Sequence, residues 1–454
     1  MARTISTRAG GQRNPWLRAP LLVTLGFLAA MLAGSALLTL PACTAAGERP
    51  LTYLEALFTS TSAVCVTGLT VVDTAHRLSF HGQLVVLLLV QAGGLGIMTL
   101  AFLVFLSLGL RSSTTGGELL SSTLSELVYH KNPRQAFGLV VGGTLLVELL
   151  GALILLQSLH PEDRSLWKAV FLSICAFCNA GFDNLESGLA PYSATWGVGL
   201  PLLSLWLLGG LGFIVPVAIA AKLRRGSQAA LDLSAAMILV ASALLVPLGA
   251  LLFALTEGSG LLAGRPWSEQ LLLCLFQGNA PRTAGFSMVD LGQAARLTLL
   301  TQVVLMLMGG APGGTAGGVK TTTAWIFCAT LWARLRSEEE VVIGRRTIPI
   351  GAIRNAVMIC VFMVLCHGIF TCMLSVFEGL DMRLEQLTFE VASALGTVGL
   401  STGITAELSA PSQLTLILAM LVGRLGPLTF VYAFLRVKRE PRRVFYPHSE
   451  VYVG

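Results

Sequence analysis

The segment FTSTSAVCVTGL at residues 58–69 has three counterparts further along the chain. These are FLSICAFCNAGF at 171–182, LFQGNAPRTAGF at 275–286 and FEVASALGTVGL at 389–400. When they are aligned on Gly68, Gly181, Gly285 and Gly399, each has alanine five residues earlier and Leu or Phe one residue later. The glycines are 113, 104 and 114 residues apart. Several columns in register at near-equal spacing predict a fourfold internal repeat.

The composition excludes an ordinary soluble protein. Of 454 residues, 54% are hydrophobic and 12% are charged, whereas soluble domains have about 25% charged residues. A bilayer core needs about 20 apolar residues per helix. Eight runs long enough for this contain at most one charged residue: 19–47, 78–110, 135–161, 187–221, 233–256, 297–333, 355–377 and 408–435. We therefore predict an all-α membrane protein with eight spans around a central pore, in four repeats at 1–110, 111–225, 226–340 and 341–454.

The basic residues are unevenly distributed between the two sides that eight spans define. Of 30 Lys and Arg residues, 20 lie on the side of the termini and 8 on the other side, while Lys320 and Arg424 lie within spans. Because cytoplasmic loops are enriched in basic residues, this predicts a multi-pass protein of the cytoplasmic membrane with both termini in the cytoplasm. The net charge of +6 then reflects orientation in the lipid bilayer and does not indicate a nucleic-acid partner.

The four repeated segments fit the binding of a bare cation. A cation that crosses a membrane must exchange its water shell for oxygens, and backbone carbonyls supply these without burying a formal charge. Glycine adopts the dihedral angles that turn successive carbonyls toward one axis. A short helix before each turn would direct its negative C-terminal end toward the same axis. The four segments are therefore predicted to form one ion filter.

The seventh run is too long for one span and is interrupted by glycine. Residues 309–323 read GGAPGGTAGGVKTTT, which contains six glycines and a proline and is poorly suited to a continuous helix. We expect two helices joined by a pore-lining loop. Three other interpretations compete: a phosphate-binding loop, a kink with close helix packing, and a substrate site in a broken transporter helix. The phosphate-binding pattern requires lysine directly after glycine, but Val319 separates Gly318 from Lys320.

The whole chain resembles the Trk/Ktr/HKT superfamily of potassium transporters, and within it the membrane subunits of bacterial Ktr systems. The resemblance implies K⁺ binding by backbone carbonyls of four filter stretches. These are Val66-Thr67-Gly68, Asn179-Ala180-Gly181, Thr283-Ala284-Gly285 and Thr397-Val398-Gly399. Only the fourth, TVGLS, closely resembles the filter of true potassium channels, so imperfect Na⁺ exclusion is expected. In plant relatives, serine at the first filter glycine favours Na⁺ permeation, and Gly68 at this position therefore favours potassium.

The resemblance also implies a gate beneath the filter. Its expected residues are Gly309, Gly310, Gly313, Gly314, Gly317, Gly318, Lys320 and Arg424. The arginine would contact the loop from the last span, although a snorkelling or purely structural role stays open for both basic residues. The expected partners are a second copy of the chain and a cytosolic RCK-type, KtrA-like nucleotide-binding ring. Na⁺ is a possible modulator, and no organic cofactor is expected on this chain.

The functional hypothesis is therefore potassium uptake that is driven by the membrane potential and gated by the glycine-rich loop. The alternative is a Na⁺-coupled secondary transporter of another solute. No catalytic residue set stands out, which argues against an enzyme. Cys175 and Cys178 are interpreted as packing residues, and Glu148 has no assigned ion-binding role. Asp183, two residues after the second filter glycine, either attracts cations at the pore mouth or caps a turn.

Overall fold

The computed structural model describes residues 18–107, 133–212, 215–216, 218–219, 222, 233–379 and 382–426. These parts of the chain form fourteen α-helices and one two-stranded hairpin, so the prediction of a helical fold is confirmed. The expected cytoplasmic ends, at 1–17 and 427–454, lie outside the described residues, as does most of each predicted loop at 108–132 and 223–232.

The helices follow one order four times: a long helix, a short helix of 12 or 13 residues, and a second long helix. The first long helices are α1 (Arg18–Leu38), α5 (Pro133–Ser158), α8 (Leu233–Glu257) and α12 (Ile350–Glu378). The short helices are α2 (Tyr53–Val64), α6 (Leu166–Phe177), α9 (Trp267–Asn279) and α13 (Leu384–Gly396). The second long helices are α4 (Phe80–Ser107), α7 (Trp196–Leu211), α10 (Arg296–Leu307) with its continuation α11 (Thr321–Leu335), and α14 (Ala410–Leu425).

The remaining elements are small. Helix α3 (Thr74–Arg77) follows the first short helix, and single 3₁₀ turns lie at Pro41–Cys43, Ala190–Tyr192, Leu291–Gln293 and Ile404–Ala406. Strands β1 (Val342–Ile343) and β2 (Arg346–Thr347) pair antiparallel, with Val342 opposite Thr347. Gly344 and Arg345 both have positive φ, as a tight hairpin turn with right-handed strand twist requires.

Three helical segments among the described residues are long and apolar enough to cross a membrane: Val140–Ser158, Leu233–Glu257 and Ile350–Glu378. Little of each segment is covered by protein, since only 28%, 22% and 22% of its most apolar stretch is buried. Six shorter apolar helices accompany them. Leucines such as Leu145, Leu244 and Leu365 are more than half exposed, which suits a lipid-facing surface because lipid does not penalise exposed apolar side chains.

The short helices form the centre of the molecule. Each buries a phenylalanine completely, namely Phe58, Phe171, Phe276 and Phe389. Alignment on the glycines places Leu275, rather than Phe276, opposite the other three. The offset has a local cause, because Pro281 has no N–H to continue the helical hydrogen bonds. After it, Ala284 N–H bonds back four residues to Ala280, whereas the equivalent amides of the other segments bond back five.

An ion pair at the predicted outer surface joins two consecutive connections. Asp163 accepts hydrogen bonds from Lys168 Nζ at 2.7 Å and from the Tyr192 hydroxyl at 2.8 Å. Partial burial raises the pKa of the Asp163 carboxyl, but these two bonds outweigh burial and hold the pKa below its ordinary value of 3.8. The ionised carboxylate therefore stabilises the folded state above that value, and its contribution is lost as the pH falls through the lowered folded pKa.

We expect Asp163→Asn to lower the thermal unfolding midpoint in detergent at pH 7. Between pH 5 and pH 3, the midpoint of this variant should decrease less than that of the wild type. The control is Glu162→Gln, which removes the neighbouring exposed carboxylate and should leave the profile as in the wild type. Identical pH profiles for the Asp163 variant and the wild type would show that this ion pair does not stabilise the fold.

Candidate functional site

The four repeated segments end in the same unusual backbone turn. The residue two before each glycine is left-handed, with φ of 55° at Val66, 60° at Asn179, 62° at Thr283 and 49° at Thr397. The glycines that follow have φ of 98°, 65°, 76° and 96°. Among the described residues only two other non-glycine residues have positive φ. Since this conformation is costly for a side chain, its fourfold occurrence identifies a common structure that the surrounding fold maintains.

The four turns meet in a closed ring. A Cβ atom added to Gly68 would lie 2.9 Å from Gly181 Cα, and one added to Gly181 would lie 2.8 Å from Gly285 Cα. A Cβ added to Gly285 would lie 3.3 Å from Gly399 Cα, and one added to Gly399 would lie 3.0 Å from Gly68 Cα. The same added atoms would also meet the backbone oxygens of Thr67, Ala180 and Val398. The turns therefore surround one axis, with no space for side chains at the glycine positions.

Backbone hydrogen bonds set the direction of the peptide groups in the ring. The amides of Thr67, Ala180 and Val398 each donate at 2.8 Å to a carbonyl in the preceding short helix. The amides of Gly68 and Gly399 donate to the Ser62 and Ser393 hydroxyls at 3.0 and 3.1 Å. In a trans peptide the N–H and the preceding C=O point in opposite directions. These amides point toward the short helices, so the carbonyls before them point away from the helices. Of these, the Thr67 and Val398 oxygens lie against the glycines of neighbouring turns.

Four of the side chains before the glycines, those of Thr67, Asn179, Thr283 and Thr397, are polar, and all four are buried. Asn179 Nδ2 donates to Thr283 Oγ1 at 3.3 Å, which links the second and third turns. The hydroxyls of Thr67 and Thr397 are buried, and neither finds a hydrogen-bond partner among the described residues. The ring therefore combines peptide oxygens with hydroxyl groups, and it contains no carboxylate at the twelve filter positions.

The seventh run is interrupted between Leu307, the last residue of α10, and Thr321, the first residue of α11. Hydrogen bonds close the base of the intervening loop. Gly309 N–H donates to Val319 O at 2.8 Å, and Val319 N–H donates to Leu307 O at 3.2 Å. Thr321 donates its N–H to Gly310 O and its hydroxyl to Gly309 O, both at 2.9 Å. Residues 309–320 thus form a compact loop on a hydrogen-bonded neck, which we call the interrupting loop.

The interrupting loop lies directly against the ring. The Thr315 hydroxyl bonds with Asn179 Oδ1 at 3.0 Å and lies 3.2 Å from Phe177 O. A Cβ on Gly317 would contact Thr397 Oγ1 of the fourth turn. The loop therefore touches two opposite turns of the ring.

The C-terminal end of α7 holds the other side of the interrupting loop. Ala311 N–H donates to Gly210 O at 2.9 Å, and Thr315 N–H donates to Gly209 O at 3.3 Å. The approach is close at Gly212, where φ is 66° and a Cβ would lie 2.6 Å from Gly314 N and 2.7 Å from Gly313 C. The predicted loop glycines are thus brought together with Gly209, Gly210 and Gly212, which the sequence analysis did not single out.

The two basic residues within predicted spans both bind carbonyl oxygens. Arg424 is 6% exposed, and its guanidinium donates to Thr315 O in the interrupting loop and to Gly93 O of α4, the latter at 2.8 Å. Lys320 Nζ donates to Ala316 O of its own loop at 2.7 Å. Arg424 thus joins α14, the loop and α4, while Lys320 braces the loop internally. Neither forms a salt bridge with a described carboxylate.

A set of glycines in the second long helices was also missed. A Cβ on Gly93, Gly209 or Gly423 would contact the backbone oxygen four residues before the filter glycine of its own repeat. They follow that glycine by 25, 28 and 24 residues, and Gly309, at the start of the interrupting loop, follows Gly285 by 24. Extending the alignment beyond the short segments would have revealed this column. In the first, second and fourth repeats, the small residue allows the second long helix to lie directly against the short helix.

Two other residues from the sequence analysis lie close to the second turn. Glu148 is 4% exposed, and both its carboxylate oxygens lie 3.2 Å from Gln91 Nε2 of α4. Cys178 Sγ contacts Gln91 Oε1 at 3.4 Å. Asp183 is only partly buried. Within the described parts of the chain, His, Cys, Asp and Glu form no group of three that could hold a metal ion.

Comparisons with known proteins agree on one family. The model of the TrkH family, described as cation transport proteins, matches residues 27–443. The fold is also similar to the crystal structure of the potassium transporter TrkH from Vibrio parahaemolyticus, with a TM-score of 0.72 and 18% identity, covering 94% of this chain and 87% of that one.

Several relatives match over nearly their full length. The Ktr system potassium uptake protein B of Vibrio alginolyticus is 34% identical, over 96% of this chain and 95% of the relative. The protein of the same name from Bacillus subtilis is 34% identical, over 97% and 98%. The potassium/sodium uptake protein NtpJ of Enterococcus hirae is 33% identical, over 95% and 96%. This chain belongs to the TrkH family of cation transport proteins.

Proposed function

We propose that the chain is the potassium uptake subunit of a Ktr-type system, with the ring of four turns as its ion filter. The observation that carries the proposal is the closed ring itself, whose carbonyls would face the ion path. In the first, second and fourth turns, amides bonded to the short helices leave the preceding carbonyls pointing away from those helices. Such oxygens replace the water shell of a monovalent cation without a buried counter-charge. The names of the relatives from Vibrio alginolyticus and Bacillus subtilis support K⁺ as the ion.

The ion path follows the proposed eight-span topology, with both termini in the cytoplasm. An interior-negative potential of 100 mV contributes about 2.3 kcal/mol per monovalent cation, so uptake through the ring needs no further energy source. Na⁺ remains a secondary candidate ion, since the relative from Enterococcus hirae is named a potassium/sodium uptake protein. A Na⁺-coupled carrier of another solute would instead require organic-solute uptake.

The interrupting loop is the proposed gate. It contacts the second and fourth turns and is held by Arg424 and the end of α7. A conducting state requires those contacts to break, because the loop lies against the ring. Gly309, Gly310, Gly313, Gly314, Gly317 and Gly318 allow the loop to fold this tightly, and Lys320 braces it.

The proposed partners are a second copy of this chain and a cytosolic RCK-type nucleotide-binding ring. Several relatives are named as proteins of a Ktr system, which supports the view that this chain works with another component. The decisive experiment is growth rescue at low K⁺ of a bacterium that lacks potassium uptake, with and without a co-expressed RCK subunit. Rescue by neither combination, with the protein present in the membrane, would contradict the proposal.

Thr315→Val tests the link between gate and filter. The substitution keeps the shape of the side chain but removes the hydroxyl that bonds with Asn179 Oδ1 and Phe177 O. We expect basal K⁺ flux without the partner to rise about fivefold, because each lost hydrogen bond of the closed loop contributes about 1 kcal/mol. Tracer uptake into proteoliposomes measures this. Thr315→Ser keeps the hydroxyl and is the control, and equal flux in Thr315→Val and Thr315→Ser would show that the hydroxyl does not hold the gate.

A further inference from the structure

A buried carboxylate lies directly behind the outer end of the fourth turn. Glu390 is on α13, nine residues before Gly399, and its side chain is fully buried. Its Oε1 accepts hydrogen bonds from Thr402 N–H at 2.8 Å, Ser401 Oγ at 2.8 Å and Thr402 Oγ1 at 3.1 Å. Its Oε2 accepts one from Thr405 Oγ1 at 2.7 Å. One side chain thus fixes the segment that follows the filter glycine.

The surroundings of Glu390 suit its charged form. An ionised carboxylate is purely an acceptor with about four lone-pair sites, and four donors are present. The Thr402 amide has no acceptor function, and the Ser401 oxygen already accepts from Gly403 N–H at 2.9 Å. The Ser401 and Thr405 hydroxyls also lie 2.8 Å apart, so one of them donates to the other. None of the salt bridges formed by described residues includes Glu390. The Thr402 amide and hydroxyl, and one of the other two hydroxyls, can therefore stabilise an ionised Glu390, and no cationic side chain among the described residues forms a salt bridge with it.

The short helices of the other three turns have no carboxylate at the equivalent position. In the third segment, Gln277 has a comparable role and its amide oxygen lies 3.2 Å from Ser287 Oγ and 3.4 Å from Met288 N. The residues nine before the glycine in the first and second segments are Thr59 and Leu172. The neutral Gln277 shows that an amide is sufficient to tie down the segment after a turn. The charge at Glu390 therefore needs a reason beyond positioning.

We infer that Glu390 is a specificity-determining positioning residue, which both holds the outer end of the fourth turn and places a fixed negative charge beside the cation path. This inference rests on the proposed function of the ring. A charge that the protein leaves unneutralised acts on whatever cation occupies the ring, and it acts strongly because little water screens it. Glu390 also binds the residues that directly follow the TVG turn, so a shift of residues 401–405 would change the filter geometry.

The test is Glu390→Gln in the full chain, reconstituted in liposomes. We expect the apparent KM for K⁺ to rise about tenfold, the effect of one elementary charge at about 10 Å with an effective dielectric constant of about 20. We also expect a lower K⁺/Na⁺ selectivity ratio. Glu390→Asp retains the charge and should recover most of the K⁺ affinity, which a purely space-filling role would not produce.

The matched control is Glu378→Gln. Glu378 also holds the segment after a helix, since its Oε1 accepts from Ser409 N–H at 2.9 Å and Ser409 Oγ at 2.7 Å, but it belongs to α12 rather than to a short helix of the ring. This variant should lose stability without a change in KM or selectivity. If Glu390→Gln fails to fold, Thr405→Val, which removes the Oε2 donor, should raise KM and lower selectivity in the same direction.

Three outcomes separate the possibilities. Wild-type protein with no K⁺ flux above empty liposomes would refute the proposed function. If the wild type conducts K⁺ but folded Glu390→Gln has the same KM and selectivity as the wild type, the inference alone is refuted. The same holds for Thr405→Val if that variant has to replace Glu390→Gln. A KM for Glu390→Asp as high as that for Glu390→Gln would also overturn it, because the charge would then have no effect of its own.

Discussion

Gly68→Ser is expected to lower the K⁺/Na⁺ permeability ratio by at least about tenfold, since about 1.4 kcal/mol in relative binding suffices for that change. The first turn has no space for a side chain. A Cβ at Gly68 would collide with Ala180 O and lie 2.9 Å from Gly181 Cα. With φ of 98° the position also disfavours any residue but glycine. The first and second turns must therefore move apart, which displaces the carbonyls on both sides of the contact.

The displacement should affect K⁺ more than Na⁺. In the proposed filter, selectivity depends on the number and placement of the coordinating oxygens, so displacing some of them should reduce discrimination while ions still pass. The measurement is the reversal potential or tracer competition between K⁺ and Na⁺ in reconstituted vesicles. We expect total cation flux to persist while the ratio falls.

The control for this prediction is Gly47→Ser. Gly47 has φ of 88° and no atom within 4 Å of an added Cβ. The variant carries a similar backbone penalty in an outer connection without contact to the ring, so its permeability ratio should equal that of the wild type. A ratio unchanged in folded Gly68→Ser would remove the first turn from the filter. A ratio lowered equally in both variants would attribute the effect to general destabilisation.

Much of this arrangement could be predicted from short-range patterns. The aligned glycines and alanines identify the four turns. A backbone φ of 65–98° requires glycine at that position, and this requirement can be read from each segment without knowledge of the rest of the fold. The six glycines of 309–323 similarly predict an interrupted helix, since so many glycines in a short stretch destabilise a helix. The membrane class follows from composition, and the family from the motifs.

The partners of those residues could not be predicted, because they depend on how distant segments meet. Arg424 was expected to contact the loop, but its second acceptor, Gly93 O, is 331 residues away. Nothing local reveals the bond between Thr315 and Asn179 across 136 residues. Glu390 escaped notice because a glutamate in a semi-apolar helix has no distinctive local pattern. Its importance appears only when residues 401–405 fold back over it.

Deletion of residues 313–317 should have the largest effect on the gate. It removes Thr315, which bonds with the second turn and with Arg424, together with Gly317, which contacts Thr397 of the fourth turn. The neck bonds among Leu307, Gly309, Gly310, Val319 and Thr321 involve none of the deleted residues. The shortened loop can therefore stay closed at its base while it withdraws from the ring.

We expect this deletion to raise K⁺ flux in the absence of the partner by at least about tenfold, since the loss of two or three loop contacts at about 1 kcal/mol each shifts the gate toward the open state by that factor or more. Uptake into liposomes that contain the purified chain alone measures it. Arg424→Gln is the companion variant, because it releases Thr315 O from the opposite side without shortening the chain, and it should raise flux in the same direction. A deletion variant that elutes from a sizing column and unfolds like the wild type, yet conducts no more K⁺ than the wild type, would contradict this prediction. In that case the loop does not close the pore, and the barrier to ions lies in the ring itself.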